Sequence, residues 1–215
     1  MPIDALILAG GRSTRLDSIP KAALIYRGKT LLENTVSAVS EFRTVVVGTI
    51  TTGSLPAGVL VCREDPPFGG PAAAVGAGLD ALEAGTASGS DFTVVLACDM
   101  PGVADVVPPL LRALEGSTAD GVITVDEQQR RQPLAAAYRT APLRLAVQRQ
   151  RHTASLGGLS MFQLIRELTL VELPMADRTT SDVDTWSDAA DWGMEHPDAR
   201  TAQHNTATQR SSSEH

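Results

Sequence analysis

Short apolar runs alternate with longer amphipathic segments along most of the chain. Runs rich in branched apolar residues predict strands at 4–8, 43–48, 58–62, 91–98, 120–125, 133–139 and 168–174. A helical spacing of apolar positions predicts helices at 30–40, 70–85, 103–116, 141–151, 158–168 and 185–193. Thr30 and Glu33 form a capping box at the start of the first of these helices. Because 103–116 contains Pro108 and Pro109, it is either one helix or two helices broken at the prolines.

This alternation predicts a single α/β domain. Strands that are apolar at every position are typical of a mostly parallel sheet that helices cover on both faces. The domain is expected to extend over residues 1–194. The segment 195–215 is polar and has no apolar periodicity, so we expect a disordered tail there.

Net charge, the length of apolar runs and the cysteines indicate which partners and which cellular compartment to expect. The 215 residues carry a formal net charge of −7, which argues against a nucleic-acid-binding surface. No apolar run reaches the ~20 residues of a membrane span, and the start, "MPIDALIL", contains Asp4 and lacks the basic segment of a signal peptide. Cys62 and Cys98 are each the last residue of a predicted strand and are typical of buried thiols in a reducing compartment. We therefore expect a cytoplasmic protein with no nucleic-acid or membrane partner.

A basic, glycine-containing stretch follows the first predicted strand. In "LAGGRSTRLDSIPK", residues 8–21, the backbone turns at Gly10 and Gly11, and Arg12, Arg15 and Lys21 add positive charge. Adjacent glycines let backbone N–H groups approach an anion closely. The stretch lacks the spacing of a Walker A loop. It is therefore either an anion-binding loop of another type or a basic surface turn.

Acidic residues lie at two other places, after a buried strand and at the start of the last helix. Asp99 ends a buried strand in "VVLACDMPG", where a carboxylate suits Mg²⁺ or serves only in a turn before proline. Asp182, Asp184 and Asp188 cluster around the start of the last helix, where they could complete a metal site or cap the helix. Because ligands of parallel α/β sheets bind at the carboxyl ends of the strands, we expect Asp99 to lie near the glycine turn.

Two further segments could contact a ligand. In "REDPPFGGPAAAVGAG", Gly70 and Pro71 begin a predicted helix, and a helix N-terminus favours anions or polar ligand atoms. They could instead serve only to start the helix. In "RRQPLAAAYR", three arginines accompany Gln132 and Pro133, which predicts either an acceptor-phosphate site or a solvated basic hairpin.

Five segments in order resemble one family. They are "LAGGRSTRLDSIPKAAL", "PFGGPAAAVGAGL", "ACDMP", "QPLAAAYR" and "DVDTWSDAADW". Together they are similar to the signature of the nucleotidyltransferases, and most of all to that of the MobA-like molybdenum cofactor guanylyltransferases. The agreement in order and spacing extends from about residue 3 to residue 192. The chain departs from the family pattern at "GTI", where Gly48 replaces a base-reading asparagine.

The resemblance implies a fold and a reaction. The fold would be a Rossmann-like three-layer α/β/α arrangement of the nucleotide-diphospho-sugar transferase type. The reaction would be Mg²⁺-dependent transfer of a nucleoside monophosphate from a nucleoside triphosphate, GTP favoured, to a phosphate acceptor such as molybdopterin. It also implies partner proteins of molybdenum cofactor biosynthesis. The alternatives are a cytidylyltransferase, a sugar-1-phosphate nucleotidyltransferase, or a nucleotide-binding protein without turnover.

The resemblance also implies roles for individual residues. The nucleotide would be held by Leu8, Ala9, Gly10, Gly11, Arg15, Lys21, Asp65, Gly70 and Pro71. Asp65 falls where guanylyltransferases read the base with an acid. Arg15, Lys21 and Asp99 would be catalytic, and Asp99 would bind Mg²⁺ with Asp184 or, failing that, Asp182. Gln132 and Pro133 would contact the acceptor.

Overall fold

The computed structural model describes residues 2–11, 16, 19–50, 55–85 and 89–197. The strands are β1 (Ile3–Leu8), β2 (Ile25–Tyr26), β3 (Lys29–Thr30), β4 (Arg43–Val47), β5 (Leu60–Cys62), β6 (Phe92–Ala97), β7 (Gly121–Val125), β8 (Arg131–Arg139) and β9 (Leu170–Pro174). The helices are α1 (Leu31–Ala38), α2 (Pro71–Gly85), α3 (Val103–Glu115), α4 (Thr140–Thr153), α5 (Met161–Leu164), α6 (Asp177–Thr180) and α7 (Trp186–Asp191). Within the described residues, no helix has the length and apolar character needed to cross a membrane.

Seven strands form one sheet in the order β5-β4-β1-β6-β8-β7-β9. Only β8 runs antiparallel to its neighbours, so the prediction of a mostly parallel sheet is confirmed. The chain passes from β1 to β4 and β5 on one side and then returns to β6 on the other. The carboxyl ends of β1 and β6 therefore flank a point where the strand order reverses, which is where ligands of such sheets bind.

Two apolar clusters cover the two faces of the sheet, which confirms the three-layer α/β/α arrangement. On β1, Leu6 and Leu8 belong to the cluster formed with α2, α4 and α5. Ala5 and Ile7 belong to the opposite cluster, formed with α1 and α3. Because both faces are buried, every position of the strand is apolar apart from Asp4, which pairs with Arg43 on β4.

Local sequence signals predict several elements correctly. The capping box at Thr30 and Glu33 starts α1, with N–H···O distances of 3.0 and 2.7 Å. The helix at 103–116 is one continuous element, because Val106, Val107 and Leu110 are buried against the sheet on either side of the prolines. Packing of this face offsets the backbone hydrogen bonds that proline cannot make.

Other predicted elements differ from the structure. The helix expected at 158–168 is only the single turn Met161–Leu164, because the chain leaves the helical path at Ile165 to enter β9. The pair β2–β3 and the helix α6 were not predicted, since both are too short to show a period. Glu195, the first residue of the predicted tail, pairs with Ile25 through two backbone hydrogen bonds. Residues 198–215 lie outside the described residues.

Candidate active site

A cavity of about 650 Å³ lies at the carboxyl ends of β1 and β6. Most of the residues singled out in the sequence line it. They are Leu8, Ala9, Gly10, Gly11, Lys21, Gly70, Pro71, Asp99, Gln132, Pro133, Asp182 and Asp184. Arg12 and Arg15 lie outside the described residues. The fold thus brings five separate segments of the chain to one place.

The glycine turn begins where β1 ends. Ala9 N–H donates to Val47 O at 2.8 Å, and Leu8 O accepts from Cys98 N–H at 3.1 Å, so strand pairing holds the turn on both sides. Gly10 and Gly11 then line the cavity with exposed backbone. The arrangement can present N–H groups to an anion, as the sequence predicts.

Gly48 lies directly beneath this turn. Its φ is +145°, and a Cβ atom there would lie 2.7 Å from Ala9 C and 3.0 Å from Gly10 N. Such contacts are far too short, so a side chain at residue 48 requires the turn to move. The departure from the family pattern at this position therefore has a packing cause.

Lys21 is the centre of a charged cluster. It follows Pro20 in a 3-10 turn, and its Nζ donates to Asp99 Oδ2 at 2.8 Å and to Asp184 Oδ1. Burial by itself lowers the pKa of the Lys21 ammonium group. The carboxylates of Asp99 and Asp184 more than offset that effect, so the net pKa lies above its ordinary value and the group stays charged.

Three carboxylates meet around this lysine. Oxygen atoms of Asp99, Asp182 and Asp184 all lie within 4.8 Å of one another. Desolvation raises the pKa of Asp182, and the negative charges of Asp99 and Asp184 raise it further. Three carboxylates and one ammonium group leave an excess of negative charge. Their oxygen atoms are the donors that hard divalent cations prefer, so the donor set suits a metal such as Mg²⁺.

Backbone packing brings these acids together from distant parts of the chain. Val183 N–H donates to Asp99 O at 3.0 Å, which fixes the residues on either side of it next to β6. Gly102 allows the approach, because a Cβ atom there would lie 2.8 Å from Arg178 O and from two backbone atoms of Thr179. The loop after β6 and helix α6 are therefore in direct backbone contact.

The remaining acid of the closing segment has a different role. The Asp188 carboxylate accepts from Asp184 N–H at 2.9 Å and from Thr185 N–H at 2.8 Å. Thr185 Oγ1 in turn accepts from Asp188 N–H, which completes a capping box for α7. Asp188 is thus a capping residue that also orients Asp184, whereas Asp182 and Asp184 line the cavity.

The opposite wall is formed by the start of α2 and by β8. Gly70 O accepts from Ala74 N–H at 3.0 Å in the first turn of the 15-residue helix. Gln132 and Pro133 line the cavity from β8, and Gln132 Nε2 also lies 3.4 Å from Asp126 Oδ2. The two neighbouring arginines form ion pairs: the exposed Arg130 with the buried Asp126, and Arg131 with Glu172 at the surface. The charges of Arg130 and Arg131 are therefore balanced by acids of the protein itself, and Gln132 and Pro133 face the cavity.

Asp65 does not line this cavity. Its side chain is exposed and borders a second, shallower depression with Asp80 and Arg151. The preceding acid, Glu64, is buried and lines the main cavity instead. The alternation of strand residues contained this signal: Glu64 is two residues beyond Cys62, whose side chain packs against the core. Phe68 and Thr180 also line the cavity and were not singled out from the sequence.

Comparison with known proteins gives a consistent result. The model of the MobA-like NTP transferase domain matches residues 5–164, well over half of the chain. A curated relative named "Probable molybdenum cofactor guanylyltransferase" from Clostridium perfringens is 28% identical over 137 residues, or 63% of this chain and 65% of that protein. The chain thus spans slightly less than two thirds of the length of the first curated relatives it matches.

Solved structures share the fold. Molybdopterin-guanine dinucleotide biosynthesis protein A from Archaeoglobus fulgidus has a TM-score of 0.61 at 19% identity, covering 88% of this chain and 96% of that one. The 2-C-methyl-D-erythritol 4-phosphate cytidylyltransferase from Thermus thermophilus has a TM-score of 0.62 at 20% identity, covering 89% of this chain and 97% of that one. The match of sequence over most of the domain and this shared architecture lead to one conclusion: the chain belongs to the MobA-like NTP transferase domain family.

Proposed function

We propose that the protein is a nucleotidyltransferase that moves a nucleoside monophosphate from a nucleoside triphosphate to a phosphate acceptor and releases pyrophosphate. GTP is the favoured donor and molybdopterin the favoured acceptor, in keeping with the names of the curated relatives. The observation that supports this most directly is the cluster of Lys21, Asp99, Asp182 and Asp184 beside the glycine turn. A cation site next to an anion-binding turn is what phosphoryl chemistry requires.

The proposed transfer requires no nucleophile from the protein. An acceptor phosphate is already a nucleophile, so the site has to position the two substrates and balance their charge. Gly10 and Gly11 would present N–H groups to the triphosphate, together with Lys21 and with Arg15, which lies outside the described residues. Lys21 would stabilise the charge that develops on the leaving pyrophosphate.

A divalent metal fits the carboxylates on the same wall. Asp99, Asp182 and Asp184 would hold Mg²⁺, which when bound neutralises charge at the transferring phosphate. Lys21 already bridges Asp99 and Asp184. The lysine would exchange these carboxylates for the triphosphate when a metal and a nucleotide bind together.

The base and the acceptor depend on other walls of the cavity. Gly48 offers no side chain to the base, and this observation keeps a cytidylyltransferase as the second candidate. Gln132 and Pro133 on β8 would contact the acceptor. Cavity-lining residues from α2 and the glycine turn would enclose the nucleotide between them.

A substrate panel tests the proposal. The protein is incubated with Mg²⁺ and each of the four nucleoside triphosphates, with molybdopterin, with a sugar 1-phosphate or with no acceptor, and pyrophosphate release is measured. Release that requires both GTP and molybdopterin supports the proposal. Release with CTP alone, or with a sugar phosphate as acceptor, would support the alternative activities. Nucleotide binding without release under every acceptor would contradict an enzymatic role.

A further inference from the structure

Thr180 is a buried cavity residue whose hydroxyl has no partner. It is the last residue of α6, lines the cavity and is only 3% exposed. Among the described residues, its Oγ1 is the one buried side-chain nitrogen or oxygen atom without a hydrogen-bond partner. The hydroxyls of the other buried threonines are all paired, as those of Thr93 and Thr140 are with each other at 2.9 Å. A buried hydroxyl without a partner costs stability, so a ligand that pairs with it is favoured.

The backbone fixes the side of the charged cluster on which Thr180 lies. Before it, Met175 N–H donates to Val125 O at the end of β7, at 2.9 Å. After it, Val183 N–H donates to Asp99 O beyond β6, at 3.0 Å. Because β8 lies between β7 and β6, the segment between these two hydrogen bonds passes over the starting end of β8. The glycine turn follows β1, on the other side of β6, so Thr180 and this turn lie on opposite sides of Asp99.

This position determines which substrate Thr180 can reach. In a phosphoryl transfer, the attacking and leaving oxygen atoms lie roughly in line on either side of the transferred phosphorus. In the proposed function, the glycine turn and Lys21 hold the leaving pyrophosphate, so the attacking phosphate approaches from the opposite side. That is the side on which Thr180 and β8 line the cavity.

A hydroxyl group suits a phosphate that has to act as a nucleophile. It donates one hydrogen bond to an anionic oxygen and carries no charge, so it orients the phosphate without neutralising it as an arginine would. The nearby carboxylates of Asp99, Asp182 and Asp184 repel an anion, and Lys21 balances only part of their charge. A phosphate should therefore bind there together with a divalent cation.

We propose that the Thr180 hydroxyl binds a terminal oxygen of the acceptor's phosphate, an inference that rests on the proposed function. The O–H group donates to that oxygen, and a cation held by the carboxylates offsets their repulsion. Both the acceptor and the nucleotide contain phosphate. The place of Thr180 on the β8 side of Asp99 favours the acceptor.

Titrations followed by ³¹P NMR in the presence of Mg²⁺ test the assignment. The probe is glycerol 3-phosphate, a simple phosphate monoester, and it is compared with pyrophosphate in wild type, Thr180→Val and Thr180→Ser. Thr180→Val should bind glycerol 3-phosphate ~10- to ~100-fold more weakly, the effect of losing a hydrogen bond to a charged group. Thr180→Ser keeps a hydroxyl and should bind the probe nearly as tightly as wild type. The affinity for pyrophosphate should be equal in all three proteins.

Thermal unfolding separates a ligand-binding hydroxyl from a structural one. Thr180→Val removes an unpaired hydroxyl, so the melting temperature of the ligand-free variant should equal or exceed that of wild type. Thr93→Val is the matched control, because it breaks the buried hydrogen bond to Thr140 at the other edge of the sheet. This control should melt at a lower temperature and keep its affinity for glycerol 3-phosphate. A lower melting temperature of Thr180→Val would show that the hydroxyl is paired without a ligand, which would overturn the proposal.

The two sources of phosphate give different outcomes. Equal binding of glycerol 3-phosphate by wild type and Thr180→Val would overturn the proposal, as would the absence of binding to wild type. Weaker binding of pyrophosphate to Thr180→Val, alone or to the same extent, would also contradict an acceptor site. Pyrophosphate release by the wild type judges the proposed function separately. A protein that shows the Thr180-dependent binding but releases no pyrophosphate would retain the phosphate site and lose the proposed reaction.

Discussion

The two ends of the cavity hold their acids in opposite ways. At one end, Asp99 and Asp184 bond directly to Lys21, so the protein supplies part of the balancing charge itself. At the other end, the described residues give the buried Glu64 carboxylate one backbone N–H and no cation. At the first end, a divalent metal ion could replace the Lys21 ammonium group beside the carboxylates. At the second end, a single hydrogen bond leaves most of the acceptor capacity of the carboxylate unused among the described residues.

The largest expected effect is at the charged end. Asp99→Asn removes one of the two carboxylates that bind Lys21 and also belong to the cluster of three acids. Turnover should fall by ~10²-fold or more, the effect of losing one electrostatic stabiliser. The rate is measured as pyrophosphate release under the substrate conditions that the wild type accepts. Asp105→Asn, an exposed change on α3, is the control. A near-normal rate in Asp99→Asn with an unchanged melting temperature would show that this end is not the reacting centre.

Lys21→Met tests whether the lysine and a metal ion compete for the same carboxylates. Because Lys21 competes with a metal for Asp99 and Asp184, removing its charge should raise the affinity of the nucleotide-free protein for Mn²⁺ by ~10-fold or more. Turnover should fall in the same variant, since the triphosphate loses its partner. Lys29→Met is the control, because the other lysine of the chain is exposed and contacts Ser37. Titration followed by electron paramagnetic resonance measures the free ion, and an affinity that stays equal or falls would contradict competition.

Gly48→Ala tests the backbone between the two ends. Gly48 and Gly11 have nearly the same φ, +145° and +148°, but a Cβ atom at Gly11 would have none of the described residues within 4 Å. Both alanine variants therefore have a similar backbone strain, but only in Gly48→Ala does the new Cβ atom also clash with the backbone of Ala9. Gly48→Ala should lose ~1–3 kcal/mol more free energy of unfolding than Gly11→Ala, the usual cost of overpacking. Urea denaturation measures both, and equal losses would mean that the turn moves aside freely.

The smallest expected effect comes from a glycine outside the cavity lining. Gly102→Ala should push α6 away from the loop after β6 and weaken Mn²⁺ binding by ~10-fold or less, as changes behind a metal ligand do. Gly116→Ala is a close match at the other end of α3: its φ is −86° against −83° for Gly102, and its Cβ position has no neighbour within 4 Å in the described part of the chain. Equal Mn²⁺ affinities in the two variants would show that this contact does not position Asp182 and Asp184.

Sequence reasoning predicted the parts of the site that depend on single strands. Asp99 and the glycine turn each follow an apolar run, and parallel pairing of β1 with β6 brings such positions to one edge of the sheet. The meeting of Asp182 and Asp184 with Asp99 depends instead on a backbone contact at Gly102, and no local pattern encodes that contact. The sequence therefore left the second metal ligand undecided, and the structure brings both acids into the cluster.

The acid that faces the cavity after β5 was harder to predict. Motif spacing places Asp65 at the expected position, yet the direction of each side chain is set by strand alternation, which carries Glu64 inward. Where two acids are adjacent, a shift of one residue changes which face of the sheet receives the charge. Phe68 gave no signal either, because its exposure and its φ arise from the loop that the structure builds around it.

The pairing of Ile25 with Glu195 has consequences for the order in which the site forms during synthesis and for the effect of shortening the chain. The two closing acids lie beyond residue 164, where the family match ends, and the strand-like pairing at Glu195 anchors the segment that carries them. During synthesis, the glycine turn and Asp99 emerge from the ribosome long before their cation-binding partners. A fragment cut at the end of the family match would retain the cavity walls formed by the glycine turn, α2 and β8, and would lose two of the three carboxylates around Lys21.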